Sequence, residues 1–494
     1  MKHSRRRLSA VLGLTAALVV APAATTSTAA TSATDSTYVV LYRQGASTAD
    51  ASQTVAAAGG TVVANYAEIG VIVARSANSG FANTVRKSGK VGGVSATAGF
   101  GIRNEPAATD DAAAVEAVQA TWGDTLSGLQ WDMVQINVPQ AHAVTGGSSS
   151  VIVGDIDTGL DFTHPDLAPN YDAARSADCS SGSPTPLLPG NDANGHGTHT
   201  AGTIAAAANG SGIVGVAPNV KIAGIKSSND DGFFFPEMVI CSFMWAAKNG
   251  IDVTNNSYFA DPWLFNCKND PGQRAIWEAE RRAIRYAQSN GVLVVASQGN
   301  DSTDLSHPTV DVISPDFPPG NEEEREITNA CSVVPVEVPG VVGVTATGNL
   351  RLKSFYSSYG ISTADVTAPG GDSILQRTPA APNGRVLSTW PSAAFCNPAR
   401  TVIDAGAKYC YAQGTSMAGP HAAGVAALLA SVRDGSSGSL ASRLQQSTNP
   451  LACPDTSIYA PFPQNSGAPQ TCQGGPTHNS FYGSGEVDAL KAVS

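Results

Sequence analysis

The sequence predicts an α/β fold: a three-layer, doubly wound, mostly parallel sheet, preceded by a small α+β unit. Three observations carry this. Apolar runs bounded by glycine recur as strands, in "SVIVGDIDTG", "KIAGIKSS", "GVLVVASQGN" and "GVVGVTATG". Helix-like stretches alternate with them. Residues 236–249 and 272–289 carry apolar residues at three- and four-residue spacing, as in Ala275, Ile276, Ala279, Ala283 and Ala287, and both stop at Asn-Gly. Strands alternating with helices build a parallel sheet covered on both faces, and such sheets open their sites beyond the carboxyl ends of the strands. No repeat is visible along the sequence.

Taken in order, the chain begins with "MKHSRRRLSAVLGLTAALVVAPA", a charged head, an apolar run and a small-residue end at Ala21-Pro22-Ala23. This reads as an export signal over 1–23, since the apolar run is too short to span a membrane. Arg5–Arg7 lacks the phenylalanine usual in twin-arginine signals, so the general secretory route is expected. Residues 24–35 are rich in Ala, Thr and Ser and read as disordered. "STYVVLYRQGAS" and "GGTVVANYAEIGVIVARS" supply three strands, with a helix pattern near 80–88, so 36–102 reads as the small α+β unit. The polar, alanine-rich stretch 103–128 suits an exposed, cleavable linker, and 129–494 is the main domain.

Composition narrows the function. The chain has 494 residues, 42% hydrophobic and 14% charged, with 50 glycines and 30 prolines, which favours a turn-rich globular protein of more than one domain. Its formal net charge of −11, with no basic stripe beyond the first residues, argues against a nucleic-acid partner. No later stretch reaches about 18 continuous apolar residues, so no membrane span is expected. Eight cysteines in an exported chain point to disulfides, and none forms the CxxC pair of a structural zinc site. Cys396 with Cys410 and Cys453 with Cys472 are local enough to pair. A loop of the first size contributes about 3 kcal/mol in the chain-entropy model. The pairing of Cys179, Cys241, Cys267 and Cys331 does not follow from the sequence.

Three short motifs carry chemistry. Asp157 closes the strand 151–156 in "DIDTG", where a carboxylate enters a site, although Asp and Gly also favour turns. His196 and His199 stand in "NGHGTHTAG" at an apparent helix start. The spacing suits a metal, but no glutamate follows in a HExxH pattern. His196, between two glycines, suits general-base work, and His199 reads as a packed, hydrogen-bonded residue. Ser416 in "QGTSMAGP" precedes an alanine-rich helix pattern. It is either a helix cap or a nucleophile lying at the positive end of the dipole. A serine nucleophile needs a base, and the base an orienting acid. The order Asp157…His196…Ser416 is one of the known triad orders and differs from Ser…Asp…His of α/β-hydrolases.

With these residues in place, "VGDIDTGLDFTHPDL", "NGHGTHTAGTIA", "VVASQGN", "ADVTAPG" and "GTSMAGPHAAGVAALL" resemble the subtilisin-like serine proteases, over about residues 129–494. The segment 36–102 resembles, more weakly, the family's inhibitory propeptide. The resemblance implies a secreted serine endopeptidase acting on protein or peptide substrates, monomeric, and held by its own propeptide until cleavage between about 103 and 128. Ser416 would attack, His196 would shuttle the proton, Asp157 would orient it, and Asn300 would donate to the oxyanion. The rival readings are an inactive homologue acting as a binding module, and an esterase.

The resemblance further implies an extended peptide lying between two edges, here Asp231-Gly232-Phe233 and Ser257-Tyr258-Phe259, with Ser297-Gln298-Gly299 on the opposite wall. The bulky Tyr258-Phe259 pair departs from the family's Leu-Gly and should reshape the pocket. Phe233-Phe234-Phe235 reads either as an apolar lip or as core packing. Asp166 in "HPDL" and Asn209 before "GVAP" stand where the family binds a structural calcium ion. Both supply oxygen, although Asp166 equally suits a turn cap. No cofactor is implied for catalysis. Glu322–Glu326 reads as a solvated acidic loop. The stretches 261–330 and 371–412 read as surface insertions pinned by disulfides.

Overall fold

Residues 35–97, 122–316 and 320–494 are described in the computed structural model. The readings on 1–34, 98–102 and 103–121 lie outside the described residues. The leading unit comprises β1 (Ser36–Tyr42), α1 (Ala51–Ala57), β2 (Thr61–Tyr66), β3 (Val71–Ser76), α2 (Phe81–Val85) and β4 (Val91–Ala96). Its strands form an antiparallel sheet in the order β2-β3-β1-β4. The helix α1 and strand β4 are absent from the sequence reading. One is short and alanine-rich, and the other contains two glycines. Gly93 in β4 has a reason: a Cβ there would stand 2.8 Å from Ala275 Cβ.

The sheet buries both faces, as alternating residues require. Val40, Tyr42 and Ile72 pack with Val55, Phe81 and Val85 of the unit's own helices. Val39, Leu41, Val71 and Val73 instead share a core with residues 239–244 and 279–287 of the main domain.

The main domain runs α3 (Trp131–Gln135), α4 (Val138–His142), β5 (Ile152–Asp157), β6 (Ala177–Asp178), α5 (His196–Ala205), β7 (Lys221–Lys226), α6 (Pro236–Lys248), β8 (Val253–Asn256), β9 (Asn266–Cys267), α7 (Pro271–Ser289), β10 (Leu293–Ser297), β11 (Val310–Asp311), β12 (Arg325–Glu326), β13 (Cys331–Ser332), β14 (Val342–Thr347), β15 (Val366–Pro369), β16 (Val386–Thr389), β17 (Thr401–Asp404), β18 (Ala407–Ala412) and α8 (Thr415–Val432). Seven strands form a parallel sheet in the order β15-β14-β10-β8-β5-β7-β6. β7 lies on one side of β5 and β8 on the other, so the winding reverses at β5. A crevice opens there, beyond the carboxyl ends.

Four predicted strands and both predicted helices stand within a residue or two of their readings. The central strand β8 is absent from the sequence reading because Thr254, Asn255 and Asn256 are polar. They are nevertheless fully buried. Asn256 Nδ2 donates to the Val295 carbonyl at 2.9 Å, and Asn255 Nδ2 donates to Asp155 Oδ1 at 2.8 Å. The helix α7 shows why the periodicity works. Asp270 accepts from the amides of Gly272 and Gln273, Pro271 opens the helix, and Ala275, Ile276, Ala279, Ala283 and Ala287 face inward.

The span 261–330 is not wholly an insertion. It contains α7 and β10, both parts of the scaffold, so the added chain is confined to its two ends. There β9 pairs with β13, closed by Cys267–Cys331, and β11 pairs with β12. The other insertion folds as a sheet ordered β16-β18-β17, closed by Cys396–Cys410. Cys453–Cys472 forms as expected, and the remaining pair is Cys179–Cys241. Residues 322–324 and 326 are exposed, as a solvated loop requires.

Residues 122–128, grouped with the linker by composition, lie against the main domain. Leu126 is buried and its amide donates to the Gly212 carbonyl at 2.7 Å. No helix of the described residues is long and apolar enough to cross a membrane.

Candidate active site

Asp157 ends β5 and His196 begins α5, and the sequence ties these two ends together. Thr158 Oγ1 accepts from the Gly197 amide at 2.9 Å and donates to Asp192 Oδ1 at 2.9 Å. Asp192 in turn accepts from the amides of Gly195 at 2.8 Å and Thr198 at 2.9 Å. A carboxylate on free amides at a helix start caps it and matches the dipole. Gly197 permits the approach, because a Cβ there would stand 2.1 Å from the Gly159 carbonyl. The result is a bond of 2.7 Å between His196 Nδ1 and Asp157 Oδ1, with Asp157 wholly buried. Asp157 Oδ1 also accepts from the Thr158 amide at 2.7 Å.

Ser416 lies in the first turn of α8. Its hydroxyl donates to the Ser257 carbonyl at 3.1 Å, while Ser257 Oγ donates to the Ser416 carbonyl at 3.1 Å. The second bond exists because Pro420 has no amide hydrogen for that carbonyl. Small residues in "SMAGP" follow from the packing. A Cβ on Gly419 would stand 2.8 Å from Ser297 Oγ and 3.2 Å from Asn255 Oδ1.

Asn300 lies just beyond the end of β10 and holds Thr415, the residue before Ser416. Its Oδ1 accepts from the Thr415 amide at 2.9 Å and from Thr415 Oγ1 at 3.0 Å. With the oxygen so held, the side-chain NH2 is the group left to donate. A fixed amide beside a helix N-terminus can stabilise a developing oxyanion. Ser257, Tyr258, Phe259, Ser297, Gln298 and Gly299 line one small pocket with Leu264, Val333, Thr415 and Ser416.

The remaining site residues separate. Phe234 joins the core and stacks flat on Tyr258 at 4.2 Å, while Phe233 and Phe235 cluster with Met238. Asp231 and Gly232 belong to a turn built on Asn229 and do not line the pocket. His199 is buried and its Nε2 bonds the Cys410 carbonyl at 3.0 Å, and burial pushes its pKa down to about 3. It is a neutral, packed histidine.

Sequence reasoning missed Asp155, which accepts from Thr200 Oγ1 and Asn255 Nδ2, both at 2.8 Å. Its pKa is raised well above the carboxylate range, first by burial and then by Asp157. The signal was present in "GDID", two acids on one face of a buried strand. Also missed was the insertion sheet's role. Ser388 Oγ and Thr389 Oγ1 donate to the carbonyls of His199 and Thr198 at 2.7 and 2.6 Å, pinning the helix that carries His196.

Asp166 and Asn209 meet, but in a way that leaves calcium no place. A calcium ion needs oxygens turned toward it. Here Asp166 Oδ2 accepts from the Ile213 amide at 3.1 Å and the Tyr409 hydroxyl at 3.0 Å, and Asp166 Oδ1 accepts from Asn209 Nδ2 at 3.3 Å. The loop closes on the hydroxyl: a Cβ on Gly212 would stand 2.0 Å from Tyr409 Oη. The residues present do not fit the ion. No group of three or more His, Cys, Asp or Glu among the described residues is arranged to hold a metal.

Comparison with known proteins agrees with this geometry. The Peptidase_S8 (subtilase family) model matches residues 148–485. Fervidolysin of Fervidobacterium pennivorans is 31% identical over 62% of the chain, which spans 38% of that protein. Subtilisin DY of Bacillus licheniformis is 30% identical over 60% of the chain and 82% of its own length. Among solved structures, the epidermin leader peptide processing serine protease of Staphylococcus aureus superposes with a TM-score of 0.66 at 23% identity, covering 93% of this chain and 99% of that one.

Proposed function

The chain belongs to the subtilase family of serine proteases, and from that premise we propose that it is an exported, self-processing endopeptidase. Ser416 Oγ attacks the scissile carbonyl, and His196 Nε2 accepts its proton and passes it to the leaving amine. Asp157, through Nδ1, keeps the imidazole in the tautomer whose Nε2 is basic. Asn300 Nδ2 and the Ser416 amide receive the oxyanion. Water, activated by the same histidine, then releases the acyl group from Ser416. The observation that carries this reading is the 2.7 Å bond between His196 Nδ1 and the buried Asp157, because it assigns the other ring nitrogen to proton transfer.

The leading unit acts as the temporary inhibitor. Its docking supports this. Arg282 Nη1 donates to the carbonyls of Tyr42 at 2.9 Å and Ile69 at 3.1 Å, and Tyr66 Oη donates to the Gly182 carbonyl at 2.7 Å. Since 122–128 packs on the main domain, the maturation cut falls between Thr97 and Trp122. The mature form works as a monomer on protein substrates. Stability in the loop around Asp166 comes from Tyr409 rather than from calcium.

The test compares the secreted protein with its Ser416→Ala variant by intact mass and N-terminal sequence. The wild type should lose the segment ahead of Trp122 and the variant should keep it. If both mature alike, self-processing is ruled out.

A further inference from the structure

The two chain segments beside the pocket differ in what their backbones offer. Phe233 donates its amide to Asn229 Oδ1 at 3.0 Å, and its carbonyl accepts the Asn229 amide at 2.9 Å. Phe234 donates to Asp261 Oδ2 at 2.7 Å, and its carbonyl accepts the Asp261 amide at 3.0 Å. The Gly232 amide goes to the Asn229 carbonyl at 3.1 Å. The amides from Asp231 to Phe234 and the carbonyls of Phe233 and Phe234 are thus all taken, so no strand can pair through Phe233 and Phe234. On the other segment, Tyr258 and Phe259 make no backbone hydrogen bond among the described residues. Both residues line the pocket, and unused amides and carbonyls there can pair with a peptide strand.

That free edge is short. The Ala260 amide donates to the Val334 carbonyl at 2.8 Å, and Asp261 closes onto Phe234. The Phe234 ring lies over the Tyr258 ring with centroids 4.2 Å apart and planes 3° apart, and both side chains are buried. Tyr258 of this stack lines the pocket, while Phe234 belongs to the core. Ser257, whose carbonyl holds Ser416 Oγ, faces the residue under attack, and antiparallel pairing then advances one residue at a time.

We infer that the acyl side of the substrate pairs with the single edge Ser257–Phe259, and that the Phe234–Tyr258 stack with the reciprocal Phe234–Asp261 bonds ends this groove roughly three residues from the scissile bond, the count following from one-for-one pairing. The inference rests on Ser416 being the nucleophile of a peptidase. It makes the enzyme indifferent to the fourth and fifth acyl-side residues. A backbone hydrogen bond is worth roughly two- to tenfold in affinity, so the step at which gains stop is measurable.

The experiment uses enzyme matured from the full chain and chromogenic peptides with two to five acyl-side residues, identical nearest the leaving group. kcat/KM should rise up to three residues and change by less than about twofold from three to five, since no further backbone pair forms. A rise of about tenfold or more over that interval, the worth of added pairing, overturns the inference. The ratio of five- to three-residue turnover is then read in Phe234→Ala and Phe234→Tyr, a ratio that cancels losses of folded enzyme. With phenylalanine fourth from the cut, Phe234→Ala should raise the ratio about fivefold or more, because a vacated aromatic site takes an aromatic side chain. Phe234→Tyr should keep the wild-type ratio. An unchanged ratio in Phe234→Ala overturns the role of the stack. Failure to cleave peptides of any length sinks the peptidase reading itself, which separates the two.

Discussion

Asp157 and Asp166 are both fully buried aspartates supplied by one stretch, "DIDTGLDFTHPDL", and both stand in motifs with an expected partner. At Asp157 the partner arrives: His196 Nδ1 lies 2.7 Å away. At Asp166 the place is taken. Tyr409, delivered by β18 of the inserted sheet, donates to it from 3.0 Å, and Asp404 of the same sheet accepts from the Gly212 amide at 2.9 Å, holding the loop that the motif would have given to an ion. A buried carboxylate must be satisfied, and the nearest donor decides by what. The motif alone leaves that choice open.

The largest effect tests the side where the motif keeps its role. Ser416→Ala should lower kcat by about 10⁶, measured on a short chromogenic peptide after the leading unit has been removed by an added protease. Residual turnover within tenfold of wild type would move the nucleophile elsewhere. Asn300→Ala should cost about 10²–10³ in kcat with little change in KM, as loss of an oxyanion donor does. A loss confined to KM would make Asn300 a binding residue.

The smaller effects test the side where the role has passed to a side chain. Tyr409→Phe removes a donor from a buried carboxylate and should destabilise by about 1–3 kcal/mol in denaturant unfolding. Chelator should leave the wild-type midpoint where it is. Added calcium should not raise it, whereas an ion held in the folded state would stabilise by mass action.

Finally, burial pushes the Asp166 pKa up from 3.8 to about 6. A carboxyl with a raised folded pKa binds more protons when folded. Its stabilising contribution is therefore complete below about pH 4 and is lost as pH rises through about 6. The stability of wild type relative to Asp166→Asn should fall across that window. A difference that stays flat would mean the carboxyl is ionised throughout.

The site was more legible in the sequence than its surroundings. Asp157, His196 and Ser416 stand beside glycines and small residues, because each is carried to an element end where backbones approach closely. Gly197 and Gly419 show this directly. The strands β5, β7, β10 and β14 were legible because each carries apolar residues on both faces. β8 was not, because its polar side chains are satisfied by neighbouring strands that are distant in sequence, and a local pattern cannot register such partners.

The sequence by itself determined the α/β class, the order of the chemical groups and two of the four disulfides, all of which follow from local periodicity, residue type and short spacing. Only the tertiary structure decided which edge of the groove still has free amides and carbonyls, that the bulky run Phe233–Phe235 turns inward, and that Tyr409 meets Asp166. These are contests for hydrogen-bond partners and space among residues far apart in the chain. Their outcome depends on which group reaches the site first in three dimensions, and that information exists only once the insertions are folded onto the sheet.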